Sequence, residues 1–360
     1  MKKTFLALLL LFSFAISFLI SCNGNSEPNA NKTEYKTLSR EISFSHFNTV
    51  STISSYGKVS EDAFNSYVIT ADELLEKYHK LFDIYYEYSG VNNIRTINKN
   101  AGKQPVEVDT ELIDFLLYCK ELYTLTSGKT NVMLGSVLKI WHDCREKAAD
   151  NFGYLSPQDL PTDEELRAAK EHTSIDSLII DKDAGTVYIS DPKASLDVGA
   201  IAKGYTVDII YERLVADGAD SIALNIGGNI RTIGLKPDGT NWVTGITNPD
   251  RSSNETIKCR IEIASTSVVT SGDYERYFIA GEKKYHHIID PETLVPAEYF
   301  ASVSIITPHS GLADALSTAL FCMTYEEGLA LAQSLDNVNV IWIYTDGTVK
   351  STTGITFVTK

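Results

Sequence analysis

Basic residues are scarce in this chain. Lys and Arg number 32 against 47 Asp and Glu, a formal charge of −15. Phosphate backbones are bound by basic surfaces, so nucleic acid is excluded as the main partner. A nucleotide ligand is not excluded, because backbone amides and a bound cation can hold one without a basic surface. Cysteines are few, five in all, and none stand as Cys-x-x-Cys, which argues against zinc ribbons and thioredoxin-type sites. No repeat and no linker interrupts residues 41–360, so this stretch reads as one unit, long enough to bury a core unaided. The run Ser127-Gly128-Lys129-Thr130 has Tyr123 where a P-loop needs glycine. Ser136-Val137-Leu138-Lys139 lacks the Ser-Asp-Asn and Lys-Thr-Gly partners of penicillin-recognising enzymes.

What is present starts with an apolar run at residues 4–20 behind Lys2 and Lys3. It reads as a secretory signal, with a single membrane anchor as the plainer alternative. Both place the rest of the chain outside the cytoplasm. Leu19-Ile20-Ser21-Cys22 resembles the lipobox of bacterial lipoproteins, in which Cys22 is lipidated and becomes the first mature residue. The expected organisation is a signal at 1–21, a lipidated Cys22 with a polar tether at 22–40, and one domain at 41–360. Removing the signal makes the charge more negative still. An exported location permits disulfides, but the spacing of Cys119, Cys144, Cys259 and Cys322 names no pair.

Local patterns predict a strand over 41–56 and helices over 60–82, 109–125, 136–147 and 163–171. A hairpin follows at 177–190 around Lys182-Asp183-Ala184-Gly185. A strand at 196–198 should run into a helix over 200–216. Strands are expected at 222–226, 229–235, 242–247, 260–264, 302–307, 339–344 and 355–358, with helices at 314–323 and 326–334. Helices gather early and strands late without regular alternation, which predicts an α+β fold.

Five motifs carry candidate chemistry, and each has a bland reading. Asp197-Val198-Gly199-Ala200-Ile201-Ala202-Lys203-Gly204-Tyr205 stands at a helix start, where amides and Lys203 suit a phosphate, though a tight turn needs the same residues. Asn225-Ile226-Gly227-Gly228-Asn229 joins two strands and suits a plain hairpin. Thr270-Ser271-Gly272-Asp273-Tyr274 and His286-His287-Ile288-Ile289-Asp290 follow. Adjacent histidines in a strand face opposite sides, so one at most enters a site, and His287 with Asp290 forms a plausible acid–base pair. Asp314 and Thr318, one helical turn apart with Ser317 beside them, suit a hard cation, while an N-capping aspartate explains Asp314 equally well.

In their order these motifs resemble the ApbE family of FAD:protein FMN transferases. The likeness includes Asn92-Asn93-Ile94-Arg95-Thr96-Ile97-Asn98 and Thr126-Ser127-Gly128 and runs from about residue 42 to the C-terminus. The resemblance implies a single two-lobed, T-fold-like α+β domain with FAD in the cleft between lobes. It implies that FAD is cleaved with Mg²⁺, that FMN is joined through phosphate to a Thr or Ser of an exported target, and that AMP leaves. Targets would be flavoprotein subunits of Rnf and sodium-pumping quinone reductase complexes or other extracytoplasmic flavoproteins.

Carried onto this chain, Asp197, Lys203 and Asn229 would contact FAD, and His287 and Ile288 would line the flavin side. Lys129, Thr130 and Asn131 stand where the family often has Gly-x-Phe-Asp, and Phe47-Asn48 stands where Met-Gly is frequent. The Ala200 carbonyl, Asp314 and Thr318 would bind Mg²⁺, with Ser317 where some relatives carry a second Asp. His287 would be the base and Asp290 its orienting partner. The alternatives are an FAD pyrophosphatase and an FAD-binding lipoprotein without catalysis.

Overall fold

Two strands open the chain as the computed structural model describes it, over residues 37–42, 46–57 and 59–358. The signal, Cys22 and most of the tether lie outside the described residues. β1 (Thr37–Ile42) and β2 (Ser51–Tyr56) pair antiparallel, Ile42 opposite Ser51. One strand was expected over 41–56. Instead Phe47 and Asn48 both take left-handed backbone, φ 52° and 51°, which breaks the extension. Next comes α1 (Glu61–Phe82), capped by Ser60 Oγ, which accepts from the Ala63 N–H at 3.2 Å. α2 (Ile94–Lys99) is closed by an Asn93–Thr96 capping box. β3 (Val106–Glu107), α3 (Thr110–Leu125), α4 (Gly135–Ala149), β4 (Tyr154–Leu155) and α5 (Asp163–Lys170) follow. β5 (Leu178–Asp181) and β6 (Thr186–Ile189) make the expected hairpin. The strand expected at 196–198 is absent. The chain turns there, and α6 (Ala202–Ala216) begins.

The second half is mostly sheet: β7 (Ile222–Ile226), β8 (Asn229–Ile233), β9 (Trp242–Thr247), β10 (Ile257–Ile263), β11 (Ser267–Gly272), β12 (Tyr277–Ala280), β13 (Lys283–His286) and β14 (Ser302–Thr307). Then come α7 (Ser310–Phe321), α8 (Tyr325–Gln333), β15 (Asn339–Ile343) and β16 (Val349–Ser351). An eight-stranded sheet runs β1-β2-β7-β8-β11-β14-β15-β16. Alternation with period two sorts its faces. Ile53, Leu224, Val269, Ile305 and Val340 point to α1, α6 and α7. Ala223, Ile230, Val268, Ile306 and Ile341 point to the β9–β10 hairpin. The α+β expectation holds.

Two expected boundaries move. Residues 355–358 form only a bridge of Phe357 to Ile261, and the sheet edge is β16 instead. Helix α7 starts at Ser310, four residues before Asp314, because its first amides are capped from another helix and no local cap marks the start. Cys119, Cys144, Cys259 and Cys322 are free thiols. No described helix is long and apolar enough to cross a membrane.

Candidate active site

Helices α6 and α7 cap each other. Their first turns leave backbone N–H groups without intrahelical partners. Asp314 Oδ2 accepts the Gly204 N–H at 2.8 Å, and the Asp208 carboxylate accepts the Ser310 and Gly311 N–H groups at 2.8 Å each. Glycine at 204 is required by space. A Cβ there would lie 2.2 Å from the Ser310 carbonyl oxygen and 2.9 Å from Asp314 Cβ. Asp314 is therefore not the cap of its own helix, as its bland reading had it. It is a buried carboxylate in the second turn, held at the N-terminus of α6, where positive potential favours its charge.

The carboxylate of Asp314 and the hydroxyl of Thr318, one turn apart on α7, are donors of the kind a hard cation takes. Lys203 Nζ already lies 3.6 Å from Asp314 Oδ1, so this corner attracts positive charge. Among the described residues no backbone N–H donates to the Ala200 carbonyl, and the Thr318 hydroxyl makes no hydrogen bond. Carboxylate, hydroxyl and carbonyl oxygens suit Mg²⁺ rather than zinc or copper. Among the described residues no three His, Cys, Asp or Glu side chains form a metal set, so a softer ion has no site of that kind there. The Ser317 hydroxyl donates to the Asp314 carbonyl at 2.9 Å and contacts Ser271 Oγ at 2.8 Å, which ties α7 to β11.

A second group gathers around His287. The two histidines divide as strand geometry predicts. His286 is buried, its Nε2 2.8 Å from the Ala297 carbonyl, while His287 is partly open to solvent. A carbonyl can only accept, so His287 Nδ1 donates to the Arg276 carbonyl at 3.2 Å and Nε2 is left as the basic atom. Burial first, then the charges of Arg276, His286 and Arg145, pull the imidazole down to about 3. Burial likewise raises Asp197, against the Gly199 N–H and the charges of His142, Arg145 and Arg276. Both side chains keep some contact with solvent, and the charge of Arg276 acts on each. Tyr85, half exposed, lies beside His142, its hydroxyl 3.4 Å from His142 Nε2 and its ring 5.5 Å from that imidazole.

Several expected contacts are placed elsewhere. Asp290 does not orient His287. Its Oδ1 accepts from Lys129 Nζ at 3.2 Å and from the Glu292 N–H at 3.0 Å. Lys129 also pairs with Glu292 and is not free for FAD. Thr130 donates to the Ala315 carbonyl at 2.7 Å, and Asn131 bridges the Thr173 carbonyl and the Met133 N–H. These three side chains brace the fold, in keeping with the departure from Gly-x-Phe-Asp. The Ile288 side chain is buried in the core under α7, its N–H donates to His286 Nδ1 at 3.2 Å and its carbonyl accepts from the Ala297 N–H at 3.1 Å. Asn229 fits its expectation better, since its Nδ2 is buried without a hydrogen-bond partner. Sequence reading missed Tyr85, His142, Arg145 and Arg276, none of which carries a local signal beyond an ordinary helix or loop position.

The residue pattern of the ApbE family matches positions 47–342. The chain is 34% identical over 278 residues to a FAD:protein FMN transferase of Treponema pallidum, covering 73% of each. It is 32% identical over 267 residues to one of Vibrio cholerae, covering 73% of this chain and 75% of that one. The solved ApbE protein of Thermotoga maritima superposes with a TM-score of 0.73 at 26% identity, covering 89% of this chain and 97% of that one. The flavin transferase ApbE of Vibrio cholerae superposes at 0.71 with 27% identity, covering 88% and 97%. With the family pattern spanning most of its length and the fold shared throughout, the chain belongs to the ApbE family.

Proposed function

We propose that the chain is a Mg²⁺-dependent FAD:protein FMN transferase acting outside the cytoplasm. The reading rests on one observation above the rest: a desolvated His287 and an oxygen-lined Asp314 corner stand on the fold of this family. The hydroxyl of a target Thr or Ser attacks the FMN-side phosphorus of FAD. A new O–P bond forms, the anhydride bond to AMP breaks, AMP leaves with the bridging oxygen, and the hydroxyl proton passes to His287 Nε2. Asp314, Thr318 and the Ala200 carbonyl would hold Mg²⁺, which would supply charge neutralisation for the pyrophosphate. Lys203, 3.6 Å from Asp314 Oδ1, would offer its charge to a phosphate oxygen there. Tyr85 offers a face to the flavin ring, and Asn229 Nδ2 donates to the ligand. Exported flavoprotein subunits of Rnf or quinone reductase type are the targets, and a lipid on Cys22 tethers the enzyme to the membrane.

A mixture of protein, FAD, Mg²⁺ and a candidate target tests this. Covalent flavin fluorescence on the target with release of AMP is expected. Free FMN with AMP would make the chain a pyrophosphatase, and unchanged FAD would leave only a binder.

His287→Ala is expected to slow transfer by about 10²- to 10⁴-fold, as loss of a general base does, with FAD binding kept. Transfer at the wild-type rate would remove His287 from the reaction. The pH profile follows in sign. His287 is held below the ordinary histidine value, so it stays neutral as pH falls from 8 to 5. Measured kcat/KM for FAD should therefore show no acid limb near the ordinary histidine value.

Lipidation is tested in cells with a clickable fatty acid. The wild type should carry the label and Cys22→Ser should not. Label retained by the serine protein would exclude Cys22 as the anchor.

A further inference from the structure

Helix α7 has no cap of its own. His309 stands at its N-cap position and makes no side-chain bond to the first turn. Ser310 and Gly311 are both buried there, and an unpartnered amide is costly away from water. Their partner comes from α6. Asp208 Oδ1 accepts the Ser310 N–H and Asp208 Oδ2 the Gly311 N–H, each at 2.8 Å. A carboxylate with both oxygens engaged has a fixed plane, so these bonds set where α7 begins against α6. Four residues separate Gly204 from Asp208 on one helix, and four separate Ser310 from Asp314 on the other. Residues at that spacing share a helix face. Two rungs therefore join the same pair of faces: Asp208 to the amides of 310 and 311, and Asp314 Oδ2 to the Gly204 N–H at 2.8 Å. Between the rungs the backbones nearly touch. A Cβ on Gly204 would lie 2.2 Å from the Ser310 carbonyl oxygen, and one on Gly311 would lie 3.3 Å from Tyr205 Cα. The arrangement has a cost. Burial raises the Asp208 carboxyl, against the Gly311 and Ser310 amides and the charges of Arg231 and His309. A serine at 309 would cap the helix locally without a desolvated charge.

We propose that Asp208 is a positioning residue for the metal corner: by clamping the first two amides of α7 it fixes the register of α7 on α6, and so keeps Asp314 Oδ2 on the Gly204 N–H and Oδ1 available for the ion. The proposal rests on the flavin-transferase reading for its metal and adds one residue to it. Asp208 touches neither ion nor substrate and acts through Asp314. A local cap would stabilise α7 equally well but would leave it free to slip along α6. A slip of about 1 Å stretches the bond from Gly204 to Asp314 past hydrogen-bond length and lets the carboxylate turn. Mg²⁺ takes its oxygens at about 2.0–2.1 Å in a near-octahedral array, so it tolerates such a turn poorly.

Three readouts test this: Tm, hydrogen exchange of the Gly204 amide in EDTA, and the Mg²⁺ concentration that gives half-maximal transfer. Asp208→Asn offers one oxygen to two donors. Gly204 should then exchange roughly 10- to 100-fold faster in the metal-free protein, and the Mg²⁺ requirement should rise by about tenfold or more, the loss of a charged hydrogen bond. Adding His309→Ser to Asp208→Asn gives α7 a local cap. Tm should recover, while fast Gly204 exchange and the raised Mg²⁺ requirement should persist. Leu38→Ala, in the core on β1, lowers Tm at a distance and serves as the comparison that does not depend on rescue. It should leave Gly204 exchange and the Mg²⁺ requirement as in the wild type. Gly204 exchange unchanged in Asp208→Asn overturns the proposal. So does recovery of exchange and Mg²⁺ requirement together with Tm in the double variant, or the same two defects in Leu38→Ala, because Asp208 would then only stabilise the fold. A wild-type enzyme that transfers no FMN would sink the flavin-transferase reading instead, while Gly204 exchange in EDTA would still decide whether Asp208 holds Asp314 in place.

Discussion

Asp314→Ala lowers FMN transfer by on the order of 10³-fold, the loss of several kcal/mol of charge stabilisation at the pyrophosphate. Asp314 is the one full negative charge among the three proposed ligand positions. It is also buried, and its Oδ2 is already fixed by the Gly204 N–H at 2.8 Å, so Oδ1 is the oxygen left to face an ion. Thr318→Ala removes a neutral oxygen and should weaken Mg²⁺ binding by about tenfold, an effect that added Mg²⁺ reverses. Added Mg²⁺ should not restore Asp314→Ala. Asp314→Asn separates charge from shape, because its amide oxygen can still accept from Gly204 while the charge is gone. Titrating Mg²⁺ against transfer for the three variants decides the matter. Full activity in excess EDTA, or an Asp314→Ala enzyme with unchanged Mg²⁺ dependence, would show that α7 only packs.

Gly204→Ala destabilises the fold by about 3 kcal/mol, the upper end of ordinary overpacking. The new Cβ would meet the Ser310 carbonyl at 2.2 Å, and backbone cannot swing aside as a flexible side chain does. The first turn of α6 must move off α7, which breaks the bond from Gly204 to Asp314 and disturbs the site as well. Tm should fall by roughly 4–5 °C for a domain of this size, with transfer activity lost along with it. Gly328→Ala is the control. It too sits in a helix, α8, but its Cβ would make ordinary contacts at 3.4 Å or more with Leu320 and Trp342. Relief of the helical glycine penalty should stabilise it by about 0.5–1 kcal/mol. If both substitutions leave Tm alone, the α6–α7 contact is looser than the distances say.

What local sequence could show was local in cause. Ser60 and the acids after it start α1 because a side chain three residues away caps an amide, and Lys182-Asp183-Ala184-Gly185 turns a hairpin within its own span. The alternation of the two histidines follows from strand geometry alone. Family resemblance reached further, since the order of five weak motifs named the family and the sides of the site. It could not say how this chain uses positions where it departs from the pattern.

The rest depended on partners distant in sequence. Helix α7 is longer than its local signals say because Asp208, 102 residues earlier, caps its first amides. Asp314 reads as a cap in sequence and acts as an acceptor for Gly204, 110 residues away. Asp290 stands three residues from His287, yet its partner is Lys129 at a separation of 161, because the chain turns after His287 and carries Asp290 into the core. Arg276 is an ordinary turn residue in sequence until its carbonyl meets His287 Nδ1. Amphipathic periodicity, capping and turn chemistry are properties of a few neighbouring residues, and a single chain displays them. Which carboxylate meets which cation, and which group loses its water, is decided only when elements far apart in sequence are packed together, because desolvation and Coulomb energy depend on distance in space.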